Sequence, residues 1–137
     1  MVQILPEITP ENAPFWQGGK DGNLRIAKCN DCSVYIHPPK NFCPKCHSRS
    51  VSSHAVSGQG RIASYTVNYQ KWLPDLETPY VVAIVELIEQ EGLRFVTRIV
   101  DCDPMEIRIG LPVMVTFENH EDVWLPLFKP EEGAPRA

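Results

Sequence analysis

Four of the five cysteines fall into two Cys-x-x-Cys pairs, Cys29/Cys32 and Cys43/Cys46, with ten residues between them. This arrangement constrains the chain more than any other feature. A Cys-x-x-Cys turn sets two sulfurs on one side of the backbone, half of a tetrahedral site with metal–sulfur bonds of about 2.3 Å. Two such knuckles joined by a short hairpin make a zinc ribbon. Pro44 inside the second knuckle stiffens its turn. All four ligands come from the protein and no coordination position stays open, so the metal is expected to be structural. Zinc is the expected ion, although four thiolates would also hold iron. Neither pair opens a helix in a βαβ setting, which argues against thiol redox chemistry. His47 and His54 lie near the site and read as surface residues. Cys102 stands apart and reads as a small apolar side chain.

At 137 residues the chain can bury roughly 68% of its unfolded surface, enough for one domain with a small satellite. No apolar stretch approaches the roughly 20 residues of a membrane span. The first ten residues have neither a basic n-region nor an apolar h-region, so a cytoplasmic location is expected. In a reducing compartment, paired cysteines point to metal rather than disulfides. The net charge of −4 is unevenly spread. Residues 25–50 carry five basic side chains against Asp31 alone, leaving eight basic and sixteen acidic residues elsewhere. The ribbon is therefore mildly basic and the rest acidic, unlike a general nucleic-acid binder.

Four regions follow along the chain. Residues 1–24 form an N-terminal helical arm, in which Thr9 is the expected N-cap and Pro10 the first helical residue. This helix carries Phe15 and Trp16 and ends at Gly18-Gly19. Its aromatics either dock on the chain's own core or form a partner-binding arm. Residues 25–55 are the ribbon, too poor in apolar residues to hold together without a metal. Residues 56–130 read as strands. Ala63, Tyr65, Val67 and Tyr69 alternate with Ile62, Ser64, Thr66 and Asn68. Tyr80–Leu87 is almost wholly apolar, Leu93–Val100 alternates, Val113, Val115 and Phe117 share a face, and Val123–Phe128 makes a fifth strand. Asp103-Pro104-Met105-Glu106 is a capping-box pattern for one short helical turn between the third and fourth strands. Five strands with a helix at that place predict an OB-fold barrel, with an SH3-like barrel as the alternative. Residues 131–137 read as a flexible tail. The fold class is thus mainly β.

The two knuckles, His37-Pro38-Pro39, Phe42-Cys43-Pro44, Gly58-Gln59-Gly60, Ser64-Tyr65-Thr66, Pro79-Tyr80-Val81-Val82 and Gly110-Leu111-Pro112-Val113 together resemble a specific family. It pairs a helical segment and a rubredoxin-like zinc ribbon with an OB-fold, and was long labelled a domain of unknown function. Its members accompany thiolase-superfamily enzymes in acyl-CoA metabolism. The resemblance runs from Pro14-Phe15-Trp16 to Phe128-Lys129-Pro130. Family knuckles are commonly followed by glycine, which tolerates a left-handed backbone; here Ser33 and His47 hold those places.

The resemblance implies a non-catalytic accessory subunit bound to a thiolase-like partner, as two copies of each chain. Such a subunit would help position a CoA thioester for Claisen condensation, or for retro-aldol cleavage of side-chain acyl-CoA such as a steroid thioester. CoA needs cations for its phosphates and flat apolar surface for adenine. Lys28, Lys40, Lys45, Arg49 and Lys71 are candidates for the first, and Tyr35, Phe42 and Trp72 for the second. Phe15 and Trp16, with Trp72, Leu73 and Leu76 in the loop between the first two barrel strands, are candidates for the partner interface. Two rival readings stand beside this one. A nucleic-acid-binding ribbon/OB module is disfavoured by the acidic barrel. A self-sufficient enzyme lacks a nucleophile elbow, a phosphate loop and an open metal site. Only residue type suggests Cys102 and His120 as a nucleophile–base pair.

Overall fold

The computed structural model of the chain describes residues 7–10, 12–71 and 77–131. The N-terminal helix α1 spans Ala13–Gln17 and is followed by a 3-10 turn, Gly18–Asp21. Strands β1 (Leu24–Cys29), β2 (Tyr35–Ile36) and β3 (Val51–Val56) make a three-stranded sheet in the order β2-β1-β3. Strands β4 (Gln59–Asn68), β5 (Tyr80–Leu87), β6 (Arg94–Ile99), β7 (Pro112–His120) and β8 (Val123–Pro130) close into a barrel in the order β4-β5-β6-β8-β7. A 3-10 turn, Pro104–Glu106, lies between the third and fourth barrel strands. This is an OB-fold barrel, as the strand count and the capping box predicted. Asp103 caps that turn, its carboxylate accepting from the Met105 amide at 2.9 Å. None of the described helices is long and apolar enough to cross a membrane.

Three local expectations need correction. The helix begins at Ala13, not Pro10, with Asn12 at the N-cap position. The reason is a competing local network: the Asn12 carboxamide accepts from Thr9 N at 2.7 Å and donates to Glu7 O at 3.1 Å, folding the preceding residues into a turn. Gly18-Gly19 does not end the helical path; it tightens into the 3-10 turn, which stops at Gly22 in the left-handed conformation. Gly19 lies against Phe117 and Trp124, where a Cβ would sit 2.5 Å from the Phe117 ring. Finally, the strict alternation along β4 breaks at a register shift between Ile62 and Ser64. Gly60 and Ile62 pair with Leu87 and Val85, whereas beyond the shift Tyr65 and Val67 pair with Ala83 and Val81. One extra residue thus moves the inward face by one position, as a β-bulge does.

The barrel core gathers Ile62, Val81, Val85, Leu87, Leu111, Val113 and Phe128. It also takes in Leu24 and Ile26 of β1, each 1% exposed. These two side chains root the ribbon sheet in the barrel, and burial of each contributes about 1.5–3 kcal/mol. A second, small cluster of Cys29, Ile36 and Cys43 lies at the far end of the ribbon. It is far too small to hold that end together through apolar burial alone. β1 and β3 carry no clear strand pattern in the sequence, because Val51–Val56 sets Ser52, Ser53 and His54 side by side and Leu24–Cys29 carries two cations.

Candidate metal centre and surrounding surfaces

The two knuckles have the same hydrogen-bonded construction. Cys29 N donates to Val34 O (2.9 Å) and Ser33 N to Cys29 O (3.0 Å); Cys43 N donates to Ser48 O (2.8 Å) and His47 N to Cys43 O (2.9 Å). Each closure requires a left-handed residue after the second cysteine, and Ser33 (φ 65°) and His47 (φ 64°) supply it. Amides then face the first sulfur of each pair. Cys32 N lies 3.5 Å from Cys29 Sγ, while Lys45 N and Cys46 N lie 3.3 and 3.4 Å from Cys43 Sγ. All four sulfurs fall within 4.8 Å of one another, with Cys29–Cys46 and Cys32–Cys43 each at 3.6 Å. A tetrahedral site with bonds of about 2.3 Å has sulfur–sulfur edges of about 3.8 Å, so the cluster fits a four-thiolate metal centre.

The electrostatics point the same way. The Cys32 amide draws the Cys29 pKa below its ordinary value, and the Cys46 and Lys45 amides pull Cys43 down to about 6. At Cys32 and Cys46 the nearby amides of Val34 and Ser48 also favour the thiolate. Desolvation and the neighbouring thiols outweigh them, raising Cys32 and pushing Cys46 up to about 12. Four thiolates this close repel one another unless a cation compensates, and a divalent ion supplies that charge. His47 is exposed and is not part of the ligand cluster. The His54 ring bonds Ser52 (3.0 Å) and Asn30 (3.2 Å), which braces the first knuckle against β3. Ser48 donates to the Asp31 carboxylate, tying the knuckles to each other.

The other candidate residues scatter. Lys28 and Tyr35 are register partners, and Lys28 Nζ lies 5.1 Å from the Tyr35 ring centroid. Lys40, Phe42 (43% exposed), Lys45 and Arg49 surround the second knuckle with their side chains in solvent. Lys71 is exposed on the β4–β5 connection, remote in sequence from that group. Trp72, Leu73 and Leu76 lie outside the described residues. Phe15 must be removed from the exposed interface set: it is 7% exposed and packs edge-on to Phe95 at 5.9 Å within the chain's own core. Trp16 beside it is half-buried and lines an apolar groove of about 250 Å³ between β6 and β8. Cys102 packs at the margin of the barrel core, as a small apolar side chain would. His120 bonds Glu118 at 2.5 Å. His37, notable in the sequence only as part of a family motif, completes a three-ring cluster with Phe15 (4.9 Å) and Phe95 (5.5 Å). Its burial lowers its pKa. Nothing in the local sequence signals that contact, because the three rings come from three separate regions.

Two family models match in tandem: the ChsH2 rubredoxin-like zinc ribbon domain over residues 16–52, and the ChsH2 C-terminal OB-fold domain over residues 53–118. A DUF35 domain-containing scaffold protein of Methanothermobacter thermautotrophicus is 42% identical over 100 residues, covering 71% of this chain and 73% of the relative. The chain belongs to the ChsH2/DUF35 family. Among its other relatives, a probable enoyl-CoA hydratase alpha subunit of Thermomonospora curvata is 38% identical over 126 residues. The match covers 91% of this chain and 39% of the relative. The 3-oxo-4,17-pregnadiene-20-carboxyl-CoA hydratase alpha subunit of Mycobacterium tuberculosis is 32% identical, with 96% and 41% covered. This chain thus spans about two-fifths of the length of those two relatives. Among solved structures, a chain of the Ltp2-ChsH2(DUF35) aldolase superposes with a TM-score of 0.82 at 37% identity. It covers 92% of this chain and 98% of that one.

Proposed function

We propose that this chain is a non-catalytic accessory subunit of a thiolase-superfamily enzyme acting on CoA thioesters. In this reading two copies of each chain assemble, and the partner carries out retro-aldol cleavage of a side-chain acyl-CoA or a Claisen-type condensation. The observation that carries the reading is the likeness, over nearly the whole of both chains, to a component of an aldolase complex. The relatives whose names include CoA substrates support the thioester class, and the scaffold relative supports the accessory role. The ribbon's metal is zinc in this reading, held by Cys29, Cys32, Cys43 and Cys46. It orders the ribbon and takes no part in the chemistry, because the four sulfurs complete its coordination. The half-buried Lys28 and the exposed cations Lys40, Lys45, Arg49 and Lys71, with Tyr35 and Phe42, are the candidate CoA contacts. Trp16, Trp72, Leu73 and Leu76 are the candidate partner contacts.

The test is affinity capture of the tagged chain from its native cell, followed by co-expression with the captured partner. A thiolase-fold protein should co-purify in a 2:2 complex and should lose solubility or turnover when expressed alone. Trp72→Ala should weaken the complex by about 2 kcal/mol, as loss of a buried aromatic anchor does. A partner that folds and turns over its thioester equally well without this chain refutes the accessory role.

A further inference from the structure

The four sulfurs of the metal centre are not equivalent. Cys29 and Cys43, the first residue of each knuckle, are both 0% exposed. Cys32 is half-buried, and Cys46 alone among the four is exposed. The amide donors divide in the same way. Cys43 Sγ has Lys45 N at 3.3 Å and Cys46 N at 3.4 Å, and Cys29 Sγ has Cys32 N at 3.5 Å with the Asp31 amide also close by. Cys32 and Cys46 have one nearby amide each, from Val34 and Ser48. A ligand sulfur that accepts hydrogen bonds gives up electron density to them, so the buried pair is dulled toward an electrophile. The charges around the two outer sulfurs also differ. Cys46 stands between the exposed side chains of Lys45 and His47, with Arg49 exposed beyond them, whereas Cys32 follows Asp31. Asp31 is the single carboxylate of the ribbon, and the Ser48 hydroxyl engages it. Reactive cysteines occupy exposed, electropositive places of the kind Cys46 has.

We infer that Cys46 is a modification site, the ligand at which a peroxide attacks the centre and so releases its metal. The Cys46 thiolate sulfur takes one peroxide oxygen, the O–O bond breaks, and the other oxygen leaves as hydroxide. The sulfenic acid left on Cys46 no longer holds the ion. Cys29 Sγ, 3.6 Å from Cys46 Sγ, then attacks the sulfenic sulfur and expels its hydroxyl as a second hydroxide. Two thiolates, one hydrogen peroxide and two protons thus give one disulfide and two waters, with two electrons passing from sulfur to oxygen. The metal keeps only Cys32 and Cys43, too few for a structural site. Attack at Cys43 or Cys29 first would require the ribbon to open, because no solvent reaches either sulfur. The new bond joins one knuckle to the other, so a thiol reductant and fresh metal restore the centre. This site is independent of the accessory-subunit reading.

The test uses the full-length, zinc-loaded chain. A brief exposure to substoichiometric N-ethylmaleimide is followed by denaturation, blocking with an isotope-labelled form of the reagent, and peptide mass spectrometry. This gives the modified fraction at each cysteine separately. Cys46 should be modified about tenfold more than Cys29, Cys32 or Cys43, as exposure and an electropositive setting dictate. With limiting hydrogen peroxide the first disulfide should be Cys29–Cys46, and it should appear in step with zinc release read by a chromogenic chelator. Cys46→His keeps a four-ligand set of three cysteines and a histidine but removes the exposed thiol. Its peroxide-driven zinc release should slow about tenfold. The inference is overturned by equal modification at any other ligand, by a first disulfide other than Cys29–Cys46, or by equally fast release in Cys46→His. Should Cys46→His hold no zinc, the modified fractions and the first disulfide of the wild-type chain decide the matter alone.

Discussion

Gln90 clasps the backbone of Tyr35 through both ends of its carboxamide: Oε1 accepts from Tyr35 N at 2.8 Å and Nε2 donates to Tyr35 O at 3.2 Å. The side chain comes from the β5–β6 turn and stands where a neighbouring strand would, along the edge strand β2. One residue earlier, Glu89 accepts from Ser57 N at 2.7 Å, at the point where the chain passes from ribbon to barrel. The ribbon is therefore held to the barrel by two polar contacts as well as by Leu24 and Ile26.

Gln90→Ala removes both bonds and should destabilise the protein by about 1–3 kcal/mol, the cost of two lost hydrogen bonds and a partly buried amide left unpaired. Gln90→Glu keeps an acceptor for Tyr35 N but sets a carboxylate against Tyr35 O, so it should recover only part of the loss. Denaturant unfolding gives the energies. Hydrogen exchange at the Tyr35 amide should quicken in Gln90→Ala; unchanged protection there would remove the clasp from the account.

Cys43→Ser should abolish stoichiometric metal binding and unfold the distal ribbon, because among the described residues the fully buried cluster there is just Cys29, Ile36 and Cys43, with partly buried Ala27, Cys32, Val34 and Val51 around it. The barrel should keep its strand signal, since Val85, Val113 and Phe128 form a core independent of the knuckles. Elemental analysis and far-ultraviolet circular dichroism read the two halves separately. Wild-type protein without one equivalent of zinc or iron would contradict the metal centre.

His37 carries a pH dependence whose sign is fixed by its burial. Desolvation lowers its folded-state pKa below the ordinary 6.5, so the unfolded chain binds the proton more readily than the folded one. Its contribution is fully present above 6.5 and is lost as pH falls through the lower folded value. The melting temperature should fall more steeply in wild type than in His37→Gln as pH drops below 6.5. Parallel curves for the two proteins would show that the ring titrates as it would in water.

Ser33 and His47 hold a backbone conformation that costs a side-chain-bearing residue about 1–2 kcal/mol. Glycine relieves that cost but gives back part of the gain through a more mobile unfolded chain. Ser33→Gly and His47→Gly should each raise the stability of the metal-loaded protein by about 0.5–1 kcal/mol, measured by thermal unfolding. A loss on either substitution would mean that the side chain contributes a contact worth more than the backbone strain.

The sequence by itself determined the four-cysteine cluster, the five barrel strands and the Asp103 cap, while the left-handed positions at Ser33 and His47 were legible only through the family resemblance. Each is a local pattern: ligand spacing, hydrophobic alternation, or a capping residue ahead of Pro104. Tertiary structure decided the rest. The fate of Phe15 depended on whether Phe95 and His37, distant in the chain, would meet it. The bulge after Ile62 depended on pairing with β5, which no single strand encodes. β3 is a strand because β1 lies beside it, not because Val51–Val56 favours one. A cavity between the arm and the ribbon sheet exists only where four separate segments, residues 10–15, 25–27, 37–41 and 51–53, converge. Local spacing is fixed by covalent geometry, whereas long-range contacts are settled by which apolar surfaces can be buried together.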